Sequence, residues 1–246
     1  MKDGFIKVAA VTPQVRVADV AYHVQQIEEA MEQSAKVGAM ITVFPELCLT
    51  GYSCHDLFYQ RTLLQQAKSG LLSLAKKTET LPGIYFVGLP WEWQGKLYNV
   101  AAALHGGKVL GLVPKTYLPT YAEFYEGRQF TRGMQQVVMI NLPGQKEAIP
   151  FGTKQLFACR EIPELVIASE LCEDLWTPCP PSGEHCMHGA TVIANLSASD
   201  EVTGKNAYRR SLVANTSARL YCAYLYACAG EGESTQDVVY SGHSLL

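Results

Sequence analysis

The stretch Phe5–Phe44, FIKVAAVTPQVRVADVAYHVQQIEEAMEQSAKVGAMITVF, holds a complete strand–helix–strand unit. Phe5–Val11 is a short apolar run of strand length. Ala18–Val37 follows, with Val20, Val24, Ile27, Met31 and Ala35 recurring at helical spacing, and Gly38 closes it. Ala39–Phe44 is then apolar throughout and bounded by Pro45, the pattern of a strand covered on both faces.

The same alternation continues outward. Thr62–Lys77 is a second helical pattern, and strand-like runs recur at Ile84–Leu89, Leu97–Leu104 and Lys108–Val113. Leu165–Leu171 and Thr191–Leu196 are again strand-like, largely apolar runs, Lys205–Leu220 is helical, and the apolar Tyr221–Ala229 follows. This predicts an α/β layered fold in which crossovers pack helices on sheets. Loops are expected at Thr50–His55, Leu118–Gly133, Asn141–Lys154 and Thr177–Gly189. No Gly/Ser-rich linker, repeat or low-complexity tract divides the chain, so residues 1–246 read as one domain. Val238–Leu246 reads as a strand entering a turn with no closing element after it.

Composition narrows the function. With 246 residues and 48% hydrophobic content the chain can bury a sizeable core. A net charge of −3, with scattered Lys and Arg, gives no reason to expect capture of nucleic acid or an anionic membrane surface. No apolar stretch approaches the roughly eighteen residues of a membrane span. The start, MKDGFIKVAAVTP, lacks the run and cleavage pattern of a signal peptide, and the cytoplasm is the expected compartment. The eight cysteines form no C-x-x-C pair, and several sit in apolar runs, so small reduced thiols are the reading for the set. Cys179 and Cys186 with His185 and His188 fit no zinc spacing. No metal and no cofactor is expected.

Three segments share one design, an apolar strand followed by a reactive side chain at its tip. They are Ile41-Thr-Val-Phe-Pro-Glu46, Val109-Leu-Gly-Leu-Val-Pro-Lys115 and Leu165-Val-Ile-Ala-Ser-Glu-Leu-Cys172. Carboxyl ends of strands line the ligand crevice in open α/β sheets, so these tips can converge. A Glu, a Lys and a Cys in one pocket suit attack on a carbonyl. The thiolate is the nucleophile, the carboxylate takes its proton and later activates water, and the ammonium stabilises an oxyanion together with a backbone N–H after the cysteine. Singly, each has a plainer reading: Glu46 as a loop cap, Lys115 as a solvated surface residue, Cys172 as a core thiol.

At these residues the sequence resembles a known family. FPELCLTGYSCHDLF (44–58), PKTYLPTYAEFYEGRQF (114–130), ELCEDLWTPCPPS (170–182) and the long run Asn195–Leu245 are similar to the nitrilase (carbon–nitrogen hydrolase) superfamily. Within it they resemble the glutaminase domains of glutamine-dependent NAD synthetases, and the likeness covers essentially the whole chain. The resemblance implies an αββα sandwich, here expected to lack its last strands and so to leave a strand edge open. It implies Cys172 as nucleophile, Glu46 as general base, Lys115 as the group stabilising the tetrahedral intermediate, and Glu126 as a second glutamate orienting Lys115. It places a glutamine substrate among Tyr121, Phe124, Glu173, Ser199 and Lys205. For Ser199 and Asp200 the plainer reading is a cap on the helix from Lys205, and for Tyr121 simple loop packing.

The resemblance further implies a synthetase domain that uses the released ammonia to amidate deamido-NAD at the expense of ATP. No SGGxDS-type pyrophosphate loop occurs among these residues, so ATP and deamido-NAD would bind a domain outside this chain. Homo-oligomerisation through the helices, and low glutaminase activity until the synthetase site is loaded, are expected on the same ground. A general amidase or nitrilase of the same superfamily, or a non-catalytic module, are the competing readings.

Overall fold

The computed structural model describes residues 4–233 and 237–246. Met1–Asp3 of the N-terminus and Ser234–Gln236 of the long C-terminal run lie outside the described residues. Eleven strands are formed among them: β1 Lys7–Ala10, β2 Ala39–Val43, β3 Ile84–Trp93, β4 Lys96–His105, β5 Lys108–Pro114, β6 Val138–Ile140, β7 Ile149–Phe151, β8 Phe157–Ala158, β9 Val166–Leu171, β10 Val192–Ser197 and β11 Ala223–Cys228. The helices are α1 Val20–Lys36, α2 Arg61–Lys77, α3 Glu126–Gln129, α4 Pro181–Met187 and α5 Lys205–Leu220, with 3₁₀ turns at His55–Tyr59 and Cys172–Trp176.

Seven strands form one sheet in the order β1-β2-β3-β4-β5-β7-β6, and four form a second in the order β11-β10-β9-β8. Side-chain alternation explains how they stack. In β3 and β4, Phe86, Ala101 and Ala103 point inward against Ile167, Leu171, Ala194, Leu196 and Leu225 of the second sheet. Their neighbours Val87, Leu89, Val100, Ala102 and Leu104 point outward into a core closed by Val20, Ile27 and Met31 of α1 and Leu71 and Leu74 of α2. Ile27 and Met31 are fully buried, and each such side chain contributes about 1.5–3 kcal/mol of transfer free energy. On the far side, Ile193, Tyr224 and Tyr226 pack with Val213 of α5. The layers are therefore helix–sheet–sheet–helix, the αββα sandwich.

The expected helices and main strands are present, with ends moved by at most four residues and the helix Lys205–Leu220 unchanged. Five short helices and strands inside or beside expected loops are new, the two-residue β8 among them. α4 lies within the expected loop Thr177–Gly189, and its Pro181 fits the first helical turn because no donor is needed there. α3 and β7 lie within two other expected loops, and the three-residue β6 pairs with β7 at the sheet edge. Val138, Met139 and Ile140 are too few to carry a periodic signal.

The last residues also differ from expectation. Val238–Leu246 makes two isolated bridges, Asp200 with Tyr240 and Tyr226 with Leu245, instead of a strand. Gly242, at φ 58°, turns the backbone between them. Leu245 exchanges both backbone hydrogen bonds with Tyr226 (2.9 Å each), and Gly242 N donates to Ala229 O (2.9 Å), so the outer edge of β11 is covered here rather than open.

Candidate active site

β2, β5, β9 and β10 run so that their carboxyl ends meet at one end of the sandwich. Glu46 leaves the tip of β2. Pro45 offers no N–H to continue the ladder, and Glu46 N donates instead across the sandwich to Ser197 O at 3.3 Å. The turn presses against β3 at Gly88. A Cβ there would lie 2.4 Å from Leu47 N and 2.6 Å from Pro45 O, so only glycine lets the backbone pass this close. The Glu46 carboxylate is wholly buried. Its Oε1 accepts from Asn99 Nδ2 (2.7 Å) and Lys115 Nζ (2.6 Å), and its Oε2 accepts from Ala198 N (3.0 Å).

Lys115 follows β5 and is held by its own backbone: its N donates to Asn99 O (2.8 Å) and its O accepts from Gly133 N (2.7 Å). At 1% exposure it is no surface lysine. Nζ sits between Glu46 and Glu126, the latter at 2.5 Å. Glu126 opens α3 and is itself buried, with Tyr52 Oη donating to the same Oε1 at 2.7 Å.

Cys172 follows β9 and begins a 3₁₀ turn with φ 40°, in the left-handed region that a side chain ordinarily avoids. Such strain costs on the order of 1–3 kcal/mol and persists only where neighbours enforce it. Asp174 is the enforcer. Its carboxylate accepts from Leu171 N (3.0 Å) just before the cysteine, and from Thr116 N (3.1 Å) and Tyr117 N (2.8 Å) just after Lys115. One buried side chain thus fastens the lysine tip to the cysteine tip.

Burial dominates the electrostatics. It pushes Glu46 up to about 7, against the pull of Lys115 and Asn99. It pushes the Cys172 thiol well above its usual range, and the Glu46 charge adds to this, while Lys115 and the Ala198 N–H act the other way. For Lys115 burial works toward the neutral amine, but Glu126, Glu46 and Cys172 prevail and hold it as the ammonium. The resting cluster is a thiol, an ammonium and a carboxylate poised to exchange a proton near neutrality. Asp174 is likewise raised by burial, to about 8, with its N–H donors favouring the charged form.

Of the five outer residues, Tyr121, Phe124, Glu173 and Lys205 touch one another in a chain, and Ser199 joins them through Arg209 and Asp200. Tyr121 Oη donates to both Glu173 oxygens (3.0 and 2.9 Å), and its ring lies 6.1 Å edge-on to Phe124. Lys205 Nζ stands 5.8 Å from the Phe124 ring centroid and 5.2 Å from that of Trp176, and is ion-paired with Asp200. Ser199 and Asp200 do not cap α5. Its N-cap is Gly204, left-handed at φ 86°, and Ser199 and Asp200 are instead held by the buried Arg209, which donates to Ser199 Oγ (3.3 Å) and Asp200 O (2.8 Å). Burial raises Glu173 above the ordinary carboxylate range, partly countered by the Tyr121 hydroxyl.

Sequence reasoning missed Asn99, Asp174, Tyr52, Trp176 and Arg209. Asp174 and Trp176 lie in the quoted cysteine segment; Asn99, in the middle of β4, gave no signal. Among the described residues no group of three or more His, Cys, Asp or Glu is placed to hold a metal. His185 Nε2 contacts Thr153 O at 3.1 Å, and all eight cysteines are free thiols.

The comparisons agree with this architecture. Residues 7–246 match the carbon-nitrogen hydrolase family. The glutamine-dependent NAD(+) synthetase of Mycobacterium tuberculosis H37Rv is 42% identical over 243 residues, covering 99% of this chain and 36% of that protein. The human protein of the same name is 30% identical over 85% of this chain and 30% of its own length. Among solved structures, a glutamine-dependent NAD(+) synthetase from Cytophaga hutchinsonii superposes with TM-score 0.85 at 28% identity, over 98% of this chain and 38% of that one. An amidase from Nesterenkonia sp., at 17% identity and TM-score 0.75, shares the fold over 83% of its length. The chain therefore spans about a third of the curated relatives it matches and most of the amidase. With the family matched along nearly its whole length, the chain belongs to the carbon-nitrogen hydrolases.

Proposed function

We propose that this chain hydrolyses the side-chain amide of L-glutamine to L-glutamate and ammonia through a thioester on Cys172. The observation that carries the reading is the Lys115 ammonium bridging two buried glutamates, 2.6 and 2.5 Å away, beside a cysteine on a strained turn. Because the thiol rests protonated, Glu46 must take its proton as sulfur attacks the amide carbon. Lys115 Nζ and the Glu173 N–H, which has no partner within its own 3₁₀ turn, face the developing oxyanion. Glu46 then gives the proton to the leaving nitrogen, and ammonia departs. Water enters, Glu46 deprotonates it, and attack on the thioester regenerates the thiol. Glu126 keeps Lys115 charged and aimed.

Glutamine is favoured by these outer residues. Glu173 with Tyr121 suits an α-ammonium, Lys205 with Ser199 suits an α-carboxylate, and Phe124 and Trp176 suit the methylenes between. A site made to bond both ends of an amino acid rejects simple amides, which leave its polar groups unpaired. The names of the relatives support a further step, in which the ammonia serves a synthetase domain that amidates deamido-NAD with ATP. Assembly into homo-oligomers and a cytoplasmic location belong to the same proposal.

Ammonia release from glutamine, asparagine, aliphatic amides and nitriles tests it. Glutamine should be the preferred substrate and Cys172→Ala should abolish release. Preference for an aliphatic amide or nitrile would replace the glutaminase with a general amidase or nitrilase.

A further inference from the structure

Gly230-Glu231-Gly232 is in sequence only a turn signal, yet the residue after it, Glu233, is a buried carboxylate bound to the segment that carries Tyr52. Glu233 is 3% exposed, and its oxygens accept from two successive backbone N–H groups, Tyr52 at 2.8 Å and Ser53 at 2.6 Å. Burial raises its proton affinity, so keeping a carboxyl at this spot is costly. The turn is built for the purpose: Gly232 is left-handed at φ 87°, and a Cβ there would lie 2.0 Å from Val15 O.

What Glu233 holds is the segment carrying Tyr52. That tyrosine packs edge-on against Phe124 (6.5 Å) and Tyr240 (5.8 Å), and its hydroxyl donates to Glu126 Oε1 at 2.7 Å. The same oxygen accepts from Lys115 Nζ, while Glu126 Oε2 has no hydrogen-bond partner among the described residues. Among the described residues, Tyr52 and Lys115 are the hydrogen-bond partners that set how the Glu126 carboxylate is turned. Moving Tyr52 turns Glu126, and turning Glu126 moves the ammonium that faces Cys172.

We propose that Glu233 is a positioning residue for the reaction centre, acting through the Tyr52 hydroxyl on Glu126 and Lys115. The proposal rests on the glutaminase reading of that centre. It differs from simple fastening of a loop, because the effect of Glu233 passes through one hydroxyl group. Tyr52→Phe removes that hydroxyl and keeps the ring. Glu233→Gln keeps one acceptor and sets an amide N–H₂ against the other backbone N–H.

The test is a double-variant cycle on the full chain, read as ammonia release from glutamine. Each single variant should lower kcat by about 10- to 100-fold, the rate equivalent of one hydrogen bond to a charged group, with KM changed less than about twofold. The double variant should fall no further than the worse single one, since both act through one contact. Wild-type kcat in Tyr52→Phe, or losses that multiply in the double variant, would overturn the proposal. Alkylation of Cys172 by iodoacetamide, followed by peptide mass spectrometry, separates this from the substrate question. If the wild type releases no ammonia from glutamine, the glutaminase reading falls, and the alkylation rates decide the positioning role by the same pattern: slowed in both singles, no slower in the double.

Discussion

Placing one methyl group on Gly88 should disable the site without unfolding the protein. In Gly88→Ala the new Cβ would lie 2.4 Å from Leu47 N, 2.6 Å from Pro45 O and 2.9 Å from the Glu46 carbonyl carbon. All three are backbone atoms, so no side chain can swing aside. Relief to ordinary contact needs a shift of roughly 1 Å in the turn that carries Glu46, and a displacement of that size can cost on the order of 100-fold in rate. The backbone of β3 itself tolerates alanine, and the turn can move outward by loosening Glu46 N from Ser197 O, already long at 3.3 Å. Overpacking of this kind costs about 1–3 kcal/mol, and each kcal/mol lowers Tm by roughly 2–4 °C in a chain of this size. Gly183→Ala is the control, since nothing lies within 4 Å of a Cβ there. Ammonia release and thermal melts on both variants suffice. Gly88→Ala at wild-type kcat would refute the argument that backbone contact sets the Glu46 position.

Three further outcomes follow from the same geometry. With Glu46 raised to about 7 and needed as the carboxylate, kcat/KM should climb as pH rises through that value, and Asn99→Leu, which removes a bond favouring the charged form, should move the limb to higher pH; a pH–rate profile of both proteins reads the shift. Lys115→Met leaves two buried carboxylates facing each other, and breaking such a cluster costs about 3–5 kcal/mol, visible as a lower urea midpoint together with lost ammonia release. Asp174→Asn sets an amide N–H₂ against a backbone N–H and should cost about 1–3 kcal/mol in a denaturant melt while slowing Cys172 alkylation, because the strained turn loses its clamp.

The layered fold was legible because buried parallel strands such as Ala39–Val43 and Val192–Ser197 are largely apolar, and because α1 carries a full-length amphipathic stripe. Short elements escaped. β8 has two residues, and α4 is seven residues long inside a stretch expected to be loop. The tips bearing Glu46, Lys115 and Cys172 could be located, but not their meeting, since spacing along the chain gives no distance between sheets. Asn99 and Tyr52 were silent for a different reason: a polar residue inside an apolar strand, or a tyrosine in a loop, shows its purpose only when its partner's coordinates are known. The cover over β11 by 242–245 was likewise hidden, because single bridges need no periodic pattern.

The central claim is that Cys172 is a nucleophile in a pocket shaped for glutamine. 6-Diazo-5-oxo-L-norleucine, a glutamine mimic that alkylates catalytic cysteines, tests it with intact and peptide mass spectrometry, in parallel with excess glutamine or asparagine. A single adduct on the peptide containing Cys172, suppressed by glutamine and not by asparagine, is the expected result. Folded protein that stays unlabelled, or carries its label on another cysteine such as the exposed Cys179, would contradict it.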